Sequence, residues 1–285
     1  MPIERETLAP MSNEQYHALD DYVSKSDLDT FYKSPRHYFL KRLSPDRLPQ
    51  EQTKAMIIGS AFHSLLLEPN GFPSEFLTVE PSAPKKPTLI QRNAKKPSAA
   101  TLEAIAYWDE FEKQGKNKTI ISSDDFNTLS EMVESVHNHR AANLILNQEG
   151  VVEQSYTWTD EETGERCKCR PDFHTKNKKL IVDVKTTEDA SPRGFQNSLA
   201  KFRYHVQAAW YLRGLEGAEE FVFIAVEKKP PYLVAVYQAS AAVIAAGTRV
   251  ADIDLLNLSE CRKKKHWPGY SEAIETIDLP KWCND

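Results

Sequence analysis

Two short stretches decide how this chain reads: Arg170-Pro171-Asp172, and then Ile181-Val182-Asp183-Val184-Lys185-Thr186-Thr187. The second is apolar and rich in β-branched residues, so it reads as a strand. Alternate side chains of a strand share a face. Asp183 and Lys185 therefore point one way, while Leu180, Val182 and Val184 point the other way, into a core. Residues 175–179 are polar and read as a tight turn between strands at 166–174 and 179–186. That hairpin carries Asp172 towards the end of the strand that holds Asp183. Two carboxylates and one ammonium then converge.

Phosphodiester hydrolysis needs such a set. Magnesium takes hard oxygen ligands and keeps several waters, so one or two carboxylates suffice to hold it. The ion activates water and neutralises charge on the scissile phosphate. A lysine beside it orients the water or stabilises the developing charge. Val184 can add its backbone carbonyl, which projects between the flanking side chains. By itself the Asp-Val-Lys triplet also reads as an ordinary charge pair on a surface strand, so the rest of the chain has to decide.

Upstream, residues 1–20 read as a loosely structured leader. A helix is expected over 27–40, with Ser26 as its N-cap and Pro35 splitting or kinking it. A second helix spans 54–67, with Ile57, Ile58, Ala61, Phe62, Leu65 and Leu66 at helical spacing. Residues 69–97 are rich in Pro, Lys and Asn and read as a mobile basic loop. Helices follow at 100–114 and 123–138, and from 151 strands take over, starting with 152–158. After the hairpin come a long amphipathic helix (195–214), strands at 221–227 and 232–238, and a helix at 239–260 that runs into Arg262-Lys263-Lys264-Lys265. The tail from 267 is irregular. The pattern is α/β: one domain over 1–285, a central mixed β-sheet flanked by helices.

The bulk numbers narrow the classes. The chain has 285 residues, 40% hydrophobic and 27% charged, and a formal net charge of −5. A protein coating DNA by charge alone is usually basic. Any nucleic-acid contact must therefore use local basic clusters, with part of the acidity serving metal ions. Those clusters are Lys85, Lys86, Lys95 and Lys96, then Lys176, Lys178 and Lys179, then Arg262 to Lys265. No run of about 18 apolar residues is present, so no membrane span is expected, and the N-terminus lacks the apolar core of a signal peptide. Cys167, Cys169, Cys261 and Cys283 are too few and scattered for a disulfide framework, which points to a reducing, cytoplasmic compartment.

The two opening stretches resemble the P-D…(D/E)-x-K signature of the restriction-endonuclease-like nuclease superfamily. Gly59-Ser60-Ala61-Phe62-His63 resembles the G-x-x-x-H helix of its RecB-like branch, where the histidine is a metal ligand. Gln207-Ala208-Ala209-Trp210-Tyr211 is similar to that branch's Q-x-x-x-Y helix. A longer string resembles the RecE-type exonucleases over nearly the whole chain. It comprises the Gly59 motif with Leu67-Glu68-Pro69, Cys167 to Asp172, Asp183 to Thr187, Tyr204-His205-Val206-Gln207, Trp267-Pro268 and Leu279-Pro280-Lys281-Trp282.

The resemblance implies a restriction-endonuclease-like core and a magnesium-dependent exonuclease, with manganese able to substitute. The expected activity is 5′ to 3′ digestion of linear double-stranded DNA, leaving a 3′ overhang. It implies a ring-shaped homotetramer of phage or prophage type and a RecT-like single-strand annealing partner. By position it makes His63, Asp172 and Asp183 metal ligands and Lys185 catalytic, with Gln207 and Tyr211 supporting the site. Glu153 falls where the family has an acidic residue and is a further candidate ligand.

Three other readings compete. A RecB-like nuclease with an iron–sulfur cluster needs a cysteine before the core, and none precedes Cys167. A site-specific endonuclease would cut circular DNA that an exonuclease spares. A non-catalytic DNA-binding ring would be expected to have lost one of the acidic residues or Lys185, and this sequence keeps them all.

Overall fold

The computed structural model describes residues 5–47 and 52–279. The expected Pro280-Lys281-Trp282 motif and Cys283 lie outside them. In place of a loose leader stand a strand, β1 (Arg5–Thr7), and a helix, α1 (Asn13–His17), closed by a reciprocal capping box between Ser12 and Gln15. Helix α2 (Lys25–Lys33) starts two residues before the expected boundary. Its cap is Ser24 and not Ser26, because Asp27 reaches back to accept the Ser24 N–H at 2.9 Å. Pro35 does not kink this helix. It occupies the first turn of the next, α3 (Pro35–Tyr38), where its missing N–H costs nothing. A π-helical turn at Phe39–Leu43 follows.

Helix α4 (Lys54–Leu67) covers the expected span and is capped by Thr53. Residues 69–97, read as a loop, contain helix α5 (Phe72–Glu75), strand β2 (Phe76–Thr78) and helix α6 (Leu89–Arg92). The Pro and Lys content hides this because its anchor is aromatic: Phe72 and Phe76 stack with ring centroids 4.9 Å apart. After α7 (Ala99–Gln114), β2 pairs in parallel with β3 (Thr119–Ile121). Helices α8 (Ser123–Asn138) and α9 (Arg140–Leu146) come next.

Strands β4 (Gly150–Val152), β5 (Tyr156–Thr159), β6 (Arg166–Cys169), β7 (Phe173–Thr175) and β8 (Leu180–Thr187) complete the middle of the chain. The expected helix at 195–214 is two helices, α10 (Pro192–Lys201) and α11 (Tyr204–Gly214). Arg203 between them has φ 54°, a left-handed conformation that a continuous α-helix excludes. Its guanidinium ion-pairs with Asp254 and donates to the Leu28 carbonyl, which fixes the break. Strands β9 (Glu220–Glu227) and β10 (Val234–Gln238) and helix α12 (Ala241–Lys264) end the regular structure.

The main sheet has the order β10-β9-β8-β7-β4. β8 and β9 are parallel and the other pairs antiparallel, so the sheet is mixed. A smaller sheet has the order β1-β5-β6. The two sheets share one interrupted hairpin. Val152 faces Phe173 in the first and Tyr156 faces Cys169 in the second, so residues 153–155 run opposite 170–172 with no register shift. At this corner Glu153 has φ 52°.

Both faces of β8 and β9 are covered. Ile181, Phe221 and Phe223 bury against Val206 and Trp210 of α11, Leu255 and Leu258 of α12 and Leu28 of α2. Val182, Val184, Ile224 and Val226 bury against Phe62 and Leu66 of α4 and Leu129 and Met132 of α8. Burial on both sides explains why Phe221 to Val226 reads as one unbroken apolar run. Among the described residues no helix is long and apolar enough to cross a membrane, and Cys167, Cys169 and Cys261 are unpaired.

Candidate metal centre

The site forms where β7 stops and β8 continues. Phe173 pairs with Val182, so Asp172 falls just beyond the last rung, beside Asp183. With no β7 partner for the next rung, the Val184 N–H donates to Asp172 Oδ2 at 2.7 Å. The side chain of Asp172 thus replaces a missing backbone acceptor, which ties it to β8. The N–H and C=O of one strand residue leave on the same side. The Val184 carbonyl therefore also points to the open edge where Asp172 lies.

His63 approaches from the opposite layer. It is on α4, one turn after Gly59, and its Nδ1 lies 3.4 Å from Asp172 Oδ2. Glu153 comes from the corner of the interrupted hairpin, and its N–H donates to the Asp172 carbonyl at 3.1 Å. Ligand atoms of His63, Glu153 and Asp172 all lie within 4.8 Å of one another.

Asp183 lies outside that trio. Its carboxylate is fully buried on the α11 side of β8. Lys185 Nζ donates to its Oδ2 at 2.8 Å, and Gln207 Nε2 donates to both oxygens at 2.9 and 3.1 Å. Lys185 Nζ also sits 5.0 Å from the centre of the Tyr204 ring. Tyr211 is one turn beyond Gln207, with its ring 6.2 Å from that of Phe221. Among the described residues no hydrogen bond ties its hydroxyl to the carboxylates.

The electrostatics follow from burial and proximity. Burial alone would lower the His63 imidazole, but the Asp172 carboxylate beside it raises it to about 9. Burial would raise Asp172, and His63 and Lys185 hold it below the usual carboxylate range instead. Burial, with Asp172 next to it, pushes Glu153 up to about 7. Burial pushes Asp183 up to about 6 while Lys185 pulls the other way. For Lys185, burial works to lower the ammonium and Asp183 more than reverses it, so it stays charged. One imidazole nitrogen and two carboxylates that share a small volume are a donor set for a divalent cation. His63, Glu153 and Asp172 fit such an ion.

One residue outside the expected set belongs here. Arg170 Nε donates to the Glu153 carbonyl at 2.9 Å and lies 3.0 Å from Glu153 Oε2. The sequence places Arg170 next to Pro171 but gives no sign of its partner. Several of the expected DNA-facing lysines instead have acidic partners: Lys86 with Glu112 at 2.8 Å, Lys179 with Glu219 at 2.9 Å and Lys264 with Glu260 at 3.0 Å.

A mixed sheet between helix layers, with Pro-Asp and Asp-x-Lys meeting where β7 stops beside β8, is the arrangement of the PDDEXK-type nuclease fold. The family profile "PDDEXK-like domain of unknown function (DUF3799)" matches residues 24–280, and the chain belongs to that family. Among solved structures, a protein described as a candidate exonuclease from Eubacterium rectale superposes with a TM-score of 0.60. It is 14% identical, and the match covers 95% of this chain and 96% of that one, which establishes the shared fold. A second structure, SSO0001, is 18% identical over 47% of this chain and 68% of its own, with a TM-score of 0.28, too low to add to the argument. No curated protein matches the chain.

Proposed function

We propose that this protein is a Mg2+-dependent exodeoxyribonuclease. It degrades linear double-stranded DNA 5′ to 3′ and leaves a 3′ single strand for recombination by strand annealing. The observation that carries the reading is the convergence at Asp172. His63 from one helix layer, the Val184 N–H from the strand edge and Glu153 from the corner all meet there, with Lys185 one strand position past Val184. His63, Glu153 and Asp172 would hold the ion, with Asp183 and the Val184 carbonyl adjacent. When bound, the ion supplies positive charge to the phosphate and acidity to a water. Lys185 keeps its proton and presents a fixed positive charge where negative charge develops on the phosphate. Gln207 holds the Asp183 carboxylate, and through it Lys185, in one orientation.

The fold neighbour's description supports an exonuclease. Polarity, the homotetrameric ring, the RecT-like partner, a phage or prophage setting and a cytoplasmic location extend the resemblance to RecE-type enzymes. The test is digestion of linear duplex labelled at either end, with closed circular DNA alongside, in Mg2+ and in chelator. Early release of 5′ label, a spared circle and no digestion in chelator are expected. A cut circle would favour the endonuclease reading, and digestion in chelator would overturn the metal.

A further inference from the structure

Arg170 is placed unlike any other basic residue of the sheet. It follows β6 at the corner where the hairpin passes from the small sheet to the large one. Lys168, two residues earlier, shares its strand face. Both reach the N-terminal segment: Lys168 Nζ donates to the carbonyls of Tyr16 and Leu19 at 2.7 and 2.9 Å, and Arg170 Nη2 donates to that of Met11 at 3.0 Å. There the likeness ends. Among the described residues Lys168 donates hydrogen bonds only to carbonyls. Arg170 also grips Glu153 twice, through its backbone carbonyl and its carboxylate, by way of Nε.

Glu153 needs such a grip. Its φ of 52° is a left-handed conformation that carries a penalty for a residue with a Cβ. The regular ladder lapses over residues 153–155, and one backbone bond, from the Glu153 N–H to the Asp172 carbonyl, is left to support it. The unusual backbone brings the carboxylate to His63 and Asp172. Arg170 spans that conformation from carbonyl to carboxylate. Among the described residues its buried Nη1 has no hydrogen-bond partner. A neutral strand residue would avoid this cost, so a role as mere packing leaves it unexplained.

We propose that Arg170 is a positioning residue for the metal centre, holding Glu153 in place as a third protein ligand beside His63 and Asp172. The inference rests on the metal-centre reading above. Groups that orient a ligand in this way set metal affinity over about 10- to 100-fold. A guanidinium near a cation also repels it, so a neutral substitution mixes two opposing effects. Arg170→Lys keeps the charge but cannot bridge both Glu153 oxygens while reaching Met11.

The experiment is calorimetric titration of the full chain with Mn2+, and with Mg2+, without DNA. Arg170→Lys should weaken ion binding by about 10-fold or more. Glu153→Gln should do the same, and the double variant should bind no worse than Glu153→Gln alone, because Arg170 acts through Glu153. Lys168→Met is the control. It loosens the same N-terminal segment and should lower the melting temperature with ion affinity unchanged. Unchanged or tighter binding by Arg170→Lys overturns the proposal, as do fully additive losses in the double variant or an equal loss in Lys168→Met. Should Arg170→Lys fail to fold, Glu153→Gln carries the test, and parental affinity in that variant overturns it. If the parent binds neither ion, the metal-centre reading falls too, which separates that failure from the failure of Arg170 alone.

Discussion

Gly247 sits on α12 where it crosses α11, and no side chain fits there. A Cβ built on it would lie 1.9 Å from the His205 carbonyl oxygen and 3.0 Å from the Ala209 Cβ. In Gly247→Ala the helices must separate by about 1 Å or more before that contact becomes tolerable, and overpacking of this kind costs about 1–3 kcal/mol. Alanine returns about 1 kcal/mol in helix propensity. The first contact is with backbone, which cannot swing away, so the upper end of the range applies and about 2 kcal/mol of net destabilisation is expected. For a chain of this size that lowers the melting temperature by about 3 °C. The site should feel it too. Gln207 lies two residues past His205, and its donors reach Asp183 at 2.9 and 3.1 Å. A shift of α11 by that distance would move both donors off their present hydrogen-bond geometry. Thermal melting by circular dichroism, with digestion of linear duplex below the transition, reads both effects. A variant that melts at or above the parent and cuts at the parental rate would refute the packing argument.

Gly59→Ala is the opposite case, since a Cβ there meets nothing within 4 Å. It should stabilise α4 by about 0.5–1 kcal/mol but slow DNA digestion, because Gly59 shares the helix face of His63 and its open space borders the site; faster or unchanged digestion would remove that role. Asp183→Ala and Lys185→Ala should each abolish digestion while circular dichroism stays native, and retained cleavage in both would end the proposed chemistry. Ion affinity should rise with pH. In the chain alone His63 keeps its proton up to about pH 9 and Glu153 up to about pH 7, and each must shed it to bind a cation. Between those values one proton leaves, so the half-saturating Mn2+ concentration should fall about tenfold per pH unit. Below about 7 both protons leave and the slope steepens. In His63→Ala the dependence between 7 and 9 should flatten, and a slope as steep as the parent's there would contradict the assignment.

Local pattern carried some of this into the sequence and lost the rest. Helix α4 was legible end to end, because Ile57 to Leu66 repeat at helical spacing and Thr53 caps them. The alternation of β8 put Asp183 and Lys185 on one face, where Gln207 meets the Asp183 carboxylate. Other features have no local signal. The break between α10 and α11 depends on Arg203 finding Asp254, 51 residues on. Strand β1 has no apolar pattern of its own and exists through its pairing with β5. The basic stretch at 69–97 hides β2, whose partner β3 is more than forty residues away.

The candidate site divides in the same way. The sequence by itself determined which groups share an element: Asp183 with Lys185 through the period of a strand, Gly59 with His63 and Gln207 with Tyr211 through that of a helix. Only the tertiary structure decided that Asp172 stands at an open strand edge, where His63 from one layer and Glu153 from a left-handed corner reach it while Asp183 faces Lys185 and Gln207 in the other layer. Periodicity fixes direction within an element. Distance between elements is set by where a ladder stops and by which apolar faces pack together, and these are properties of the whole folded chain.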